Sequence, residues 1–87
     1  MKIKEGFILK DLGGQMVVVA VGNATQTLNG MIKLNDSGVV LWKKLESGAT
    51  EDELKDALME KYEISEETAK EDVAAFVNSL KGPGIIE

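Results

Sequence analysis

The sequence predicts an α+β fold, a small three-stranded antiparallel sheet followed by a three-helix bundle. Two observations carry that expectation. Residues 1–35 are the richer in β-branched side chains and are punctuated by glycine, whereas residues 36–82 hold most of the Glu and Lys, set at helical spacing. No linker separates the two stretches and no segment repeats, so residues 1–87 read as a single domain, β-rich over 1–35 and helical over 36–82.

The first two strands are "FILKDL" and "QMVVVAV", joined by Gly13-Gly14, a pair that tolerates the positive φ of a tight hairpin turn. Met16 to Val21 is apolar on both faces, as expected of a strand with neighbours on either side or with a covered face. The polar, glycine-bounded "GNATQTLNG" reads as a loop. "MIKLN" then returns as a third strand, with Ile32 and Leu34 on one face and Met31 and Lys33 on the other.

Three helices follow. Asn35, Asp36 and Ser37 are the candidate caps of the first, whose apolar stripe is Val39, Leu41, Trp42 and Leu45, and Gly48 ends it in a left-handed conformation. Thr50 with Glu53 spells a capping box for the second, which carries Leu54, Ala57, Leu58 and Tyr62. Ser65 starts the third, with Glu66 and Glu67 where the helix dipole favours anions. Its stripe is Ala69, Val73, Phe76, Val77 and Leu80; Gly82-Pro83 stops it, and "GIIE" suits a last extended segment. Trp42 reads as the largest core side chain, with its indole N–H finding an acceptor at the core's edge.

Composition excludes much chemistry. Cysteine and histidine are both absent, which removes disulfides, thiol chemistry, the commonest general base and the commonest zinc ligand. No Asp-rich calcium loop, P-loop, dinucleotide fingerprint or nucleophile elbow occurs, so the chain is expected to be no enzyme and to need no cofactor or metal. Paired acids such as Glu66-Glu67 and Glu71-Asp72 read as a solvated helix face. A net charge of −5, from 15 acidic and 10 basic residues, opposes binding to a nucleic-acid backbone. The longest apolar run, Met16 to Val21, is too short to cross a bilayer, and "MKIKEGFILK" lacks the apolar core of a signal peptide. A cytoplasmic location is expected, and the glycosylation patterns at Asn23 and Asn35 are then chance.

From Gly30 to Ile86 the ordered features are more specific than any one alone. Leu34-Asn35, Gly38, Leu41-Trp42, Leu45, Gly48, Thr50, Leu54, Tyr62, Asp72-Val73, Phe76-Val77, Leu80 and Gly84-Ile85-Ile86 fall in sequence. This pattern resembles the family of coenzyme PQQ synthesis protein D, the PqqD-like proteins. Ser47 before Gly48 and Glu63 after Tyr62 depart from it, where acidic residues, Asp in the second case, are frequent; both lie at helix ends.

The resemblance implies a winged-helix-like domain of the kind called a RiPP recognition element. Such a domain acts as a peptide chaperone: it binds the leader of a ribosomally made precursor peptide and presents it to a modifying enzyme, frequently a radical S-adenosylmethionine protein. It also implies the mode, in which the leader adds as a strand in a groove between the third strand and the third helix. An edge strand offers unpaired N–H and C=O groups to such a peptide. On this chain the edge would run from Leu28 to Leu34, including Met31, Ile32 and Lys33. Ala69, Val73 and Phe76 would floor the groove, and Asp72 would meet a leader Lys or Arg. A core role for Ile32, Val73 and Phe76 competes, because so short a chain has few apolar residues to spare.

Two other functions fit the same element order. One is a winged-helix transcription regulator, which the acidic third helix opposes. The other is a self-pairing oligomerisation module, a homodimer completing the same edge with its own copy. The resemblance leaves the precursor, the modification and the pathway open, PQQ synthesis included.

Overall fold

Gly13 and Gly14, at φ +62° and +93°, turn the chain in the mirror-image geometry whose twist suits two-residue hairpins. In this computed structural model, which describes every residue except 27 and 29, the turn joins β1 (Phe7–Leu12) to β2 (Gln15–Ala20). The register runs from Leu12 opposite Gln15 to Phe7 opposite Ala20, and the Asp11 carboxylate accepts the Gly14 N–H at 2.7 Å. β3 (Met31–Leu34) pairs antiparallel with the other side of β2, giving the order β1-β2-β3. The central position of β2 accounts for its two-faced apolar character: Val17 and Val18 point to opposite faces, yet both are fully buried.

The link from β2 to β3 differs from the expected plain loop. Gly22–Gln26 forms one 3₁₀ turn, tied by the Thr25 hydroxyl donating to the Gly22 carbonyl at 2.8 Å. Leu28 therefore lies outside β3. Its N–H donates to the Ala24 carbonyl at 3.1 Å, continuing the turn, and the strand starts only after Gly30. Thr27, in the expected loop, and Asn29, in the expected edge, lie outside the described residues.

The helices are α1 (Asp36–Glu46), α2 (Glu51–Lys61) and α3 (Glu66–Lys81). Of the three candidate caps for α1, Asn35 takes the role, its Oδ1 accepting the Gly38 N–H at 2.9 Å. Gly38 has a steric reason to lack a side chain. A Cβ there would sit 3.1 Å from that capping oxygen and 3.4 Å from the Leu34 Cβ. Thr50 and Glu53 form the reciprocal capping box, and the Ser65 hydroxyl accepts the Thr68 N–H at 3.1 Å to start α3. Gly48 is left-handed, at φ +91°, after α1.

One sheet face, carrying Phe7, Leu9, Val18, Ala20, Ile32 and Leu34, packs on the helices. Leu41, Trp42 and Leu45 from α1, Leu54 and Leu58 from α2, and Ala69, Val73, Val77 and Leu80 from α3 fill the core. Val39, expected on the α1 stripe, is only half-buried. Trp42 is wholly inside, so its indole Nε1 does not reach the edge: it is buried with no hydrogen-bond partner among the described residues. An unpaired buried donor of this kind costs about 1–3 kcal/mol. The expected last extended segment forms as a bridge, Ile86 opposite Ile3, supported by Lys4 N–H to Ile85 carbonyl at 2.8 Å. Residues 1–4 thereby seat between the chain's last residues and the end of α1, where Ala49 N–H donates to the Met1 carbonyl at 2.8 Å.

Candidate functional site

Among the described residues, β3 has β2 on one side and no strand on the other. Which of its backbone groups face the open side follows from the hairpin. In a two-residue turn the flanking pair, Leu12 and Gln15, exchanges hydrogen bonds, so along β2 the odd residues address β1 and the even ones address β3. Met16 and Val18 therefore bond to their register partners Leu34 and Ile32. The Gln15 side chain fits this alternation, its Nε2 donating to the Leu34 carbonyl at 3.2 Å from the β2 side. The N–H and C=O groups of Met31 and Lys33 then point away from the sheet. Among the described residues no backbone bond outside the sheet engages either of them.

The structure treats the nine residues anticipated for peptide binding unequally. Met31, Lys33 and Asp72 are exposed; Leu28, Ile32 and Phe76 are half-buried, each packed on the core while keeping some surface. Leu34, Ala69 and Val73 are buried, at 8%, 0% and 2% exposure. Ala69 and Val73 thus have no surface to offer as a groove floor, because the α2–α3 packing consumes it. Their contribution is to support the helix from within.

Alongside Asp72 and Phe76 runs a furrow of about 320 Å³, closed on its far side by the start of α1: the cap Asn35, Ser37 and Gly38 of the first turn and Leu41 of the second. A second hollow of about 370 Å³ shares Asn35, Ser37 and Asp72 and extends to Leu58, Tyr62 and Ile64. Asp72, Ala75 and Phe76, at i, i+3 and i+4, form the α3 wall of the first hollow. The combination is a trough of mixed lining, Leu41, Ala75 and Phe76 alongside the polar Asn35, Ser37 and Asp72, beside the end of an open strand.

Sequence reasoning named Asp72 and Phe76 from this constellation and missed the α1 side. The signal was present: a cap at Asn35 fixes the first turn of α1 directly after β3, and that turn must then flank the strand's end. The surrounding field is acidic. Glu66, Glu67, Glu71 and Asp72 lie exposed on the first half of α3. Of these, Glu66 is partly neutralised by Lys55 of α2, 3.0 Å away, and by Lys70 at 3.6 Å. Hydrogen bonding to Lys55 holds the Glu66 carboxyl below the usual carboxylate range and raises Lys55 in return. No cluster of three metal-ligating side chains occurs among the described residues. Among the described residues no helix is long and apolar enough to cross a membrane.

The model of the family described as coenzyme PQQ synthesis protein D (PqqD) matches residues 9–86. The chain belongs to the PqqD family. Solved structures similar to this PqqD-family chain include TbiB1 in complex with the TbiA(beta) leader peptide. The likeness has a TM-score of 0.79 at 22% identity and covers 100% of this chain and 95% of that one. Another is lasso peptide synthetase B1 complexed with the leader peptide, with a TM-score of 0.75 at 24% identity over 97% of this chain and 93% of that one. These likenesses establish the shared fold, three antiparallel strands followed by three helices. No curated protein matches significantly.

Proposed function

We propose that this chain is a non-catalytic adaptor that binds the leader segment of a ribosomally made precursor peptide and presents it to a modifying enzyme, of the radical S-adenosylmethionine class. The observation that carries the reading is the open β3 edge beside the furrow of α3 and the first turn of α1. Membership of the PqqD family and the leader peptides bound to two proteins of the same fold support it.

The leader adds as a fourth strand. Its backbone completes the outward N–H and C=O groups of Met31 and Lys33, which supplies affinity without regard to sequence. Alternate leader side chains point to the helix side, where Ile32, Leu28 and Phe76 leave apolar surface and the furrow takes a bulky residue. Asp72, exposed and next to Phe76 along α3, pairs with a leader Lys or Arg. The peptide's specificity is then an apolar residue and a cation at fixed spacing on one face of a strand.

The self-pairing alternative uses the same edge, with a second copy as the added strand. DNA binding is disfavoured, since the exposed acids of α3 would meet the phosphates. An NMR titration with the leader encoded beside this chain's gene tests the proposal. Shifts confined to β3, the first turn of α1 and the Asp72–Phe76 face are the expected result. A titration that leaves β3 unmoved would overturn strand addition, and concentration-dependent sedimentation without peptide would point to the second copy.

A further inference from the structure

The sheet has a second face, turned away from the helices, and its side chains are arranged in rows. Register places Ile8, Val19 and Met31 side by side across the three strands, and Lys10, Val17 and Lys33 in the next row. Leu12 and Gln15 follow at the hairpin, while Val21, whose N–H donates to the Gly6 carbonyl at 2.7 Å, prolongs the face at the other end. Ile8, Leu12, Val21 and Met31 are 41%, 48%, 44% and 51% exposed, four of the five large apolar side chains left in water among the described residues. Such clustering on one surface marks an interaction site more than scattered exposure does. Val17 is fully buried yet stands outside the helix-side core, so side chains of its own face cover it. Its lateral neighbours are the two lysines, whose aliphatic stems suit that role while the ammonium groups stay in water.

Charge identifies the occupant. In a chain of net charge −5, the strands give this face two lysines and no carboxylate. A second copy meeting it face to face would bring four lysines into one interface, like charges opposed. A surface with an apolar centre and a carboxylate rim fits it, and the acidic α3 would turn the same surface away from the helical side. The face also ends at Met31 and Lys33, the edge where a leader would add, so an added strand continues its rows with alternate leader side chains.

We infer that the outer face of the sheet is the docking surface for the modifying enzyme itself, through an apolar patch rimmed by Asp and Glu. The inference rests on the adaptor reading and assigns it a second, separate surface: helix-side groove for the leader, outer face for the enzyme. The enzyme then holds the adaptor by β1 and β2 and receives the peptide at β3.

The test uses variants on β1, the strand farthest from the open edge. Ile8→Ser with Leu12→Ser removes the apolar contacts, and Lys10→Glu alone reverses one charge on an exposed side chain. The purified modifying enzyme encoded beside this chain's gene and the synthetic leader are titrated separately by calorimetry. The double variant is expected to weaken enzyme binding about ten-fold or more, and Lys10→Glu to weaken it about three-fold at low salt, with the difference shrinking as salt rises. Leader affinity should stay at the wild-type value in both. Wild-type enzyme affinity in both variants would overturn the inference, as would a wild-type dimer in sedimentation that the double variant dissolves. Should the double variant lose its fold, Lys10→Glu decides alone. If the leader fails to bind the wild type while the variants still lose the enzyme, the groove assignment falls and the outer face stands.

Discussion

Asn35 belongs to two structures at once. Its side-chain oxygen caps α1, accepting from the Gly38 N–H at 2.9 Å and the Ser37 hydroxyl at 3.1 Å, and the same residue lines both hollows beside α3. Asn35→Ala is expected to cost about 1 kcal/mol, the usual worth of a cap. That corresponds to a melting temperature about 4–8 °C lower for a domain of this size, and an unchanged melting curve would show that the cap contributes nothing. Asp72 stands out in water, so its loss should leave stability alone. Asp72→Asn is expected to weaken a lysine- or arginine-bearing leader about five-fold at low salt, with the difference shrinking as salt rises. Equal leader affinities at low salt would remove Asp72 from the site. The Lys55–Glu66 pair adds a pH signature. Because Glu66 titrates below its ordinary value of 4.5, its tie between α2 and α3 is complete above that value and is lost as pH falls through the folded-state pKa. Glu53 behaves alike, lowered by the backbone N–H and hydroxyl of Thr50. Acid unfolding of Glu66→Gln should accordingly show a shallower loss of stability below pH 4.5 than the wild type, and superimposable acid limbs would exclude the linkage. At this scale the sequence was legible where spacing is short: Thr50 and Glu53 are three apart and bond as such a pair must. It was illegible at Trp42, whose unpartnered nitrogen depends on how deep three helices and a sheet bury it, a property no local pattern carries.

At the scale of elements, β3 is the critical piece, only Met31–Leu34 long and still the edge on which the proposed function turns. Its two sides separate cleanly by proline. Lys33→Pro removes an N–H that points away from β2, a place where an edge strand tolerates proline. It should keep the fold while reducing leader affinity about ten-fold or more. Ile32→Pro removes a donor engaged with Val18, leaves a buried acceptor unpaired and is expected to destabilise the protein by about 1–3 kcal/mol. Leader binding at full strength by Lys33→Pro would contradict the added strand. The three strands and three helices themselves were readable, because alternation, caps and glycine turns all act within a few residues. The start of β3 was not. Leu28 has strand-like character, but the Thr25 hydroxyl bond to Gly22 and the N–H of Leu28 hold the preceding turn, and the ladder begins only beyond Gly30. Likewise the period of α3 placed Ala69, Val73 and Phe76 on one stripe. Only the packing of α2 shows that the first two are sealed and the third is left at the furrow.

The whole molecule is small enough that its core has little redundancy. A chain of this length buries about 60% of its unfolded surface, and total stabilities of about 5–15 kcal/mol are usual. Leu45→Ala, at a fully buried side chain of the α1 core face, is expected to cost about 2–5 kcal/mol, a large share of that total. A shift of less than about 1 kcal/mol in urea unfolding would mean that the surrounding side chains collapse into the space. The distribution of charge was legible at this scale too, since the acids crowd the helical half. The side-by-side rows on the outer sheet face were not, because they exist only once the register of three strands is fixed.

The enclosure of Trp42 has a practical corollary. It is the chain's one indole, it has no exposed surface, and it lines neither hollow beside α3. Its fluorescence emission should therefore report the melting of the core and stay nearly silent when a peptide settles on β3, so that one spectral signal tracks folding free of interference from occupancy.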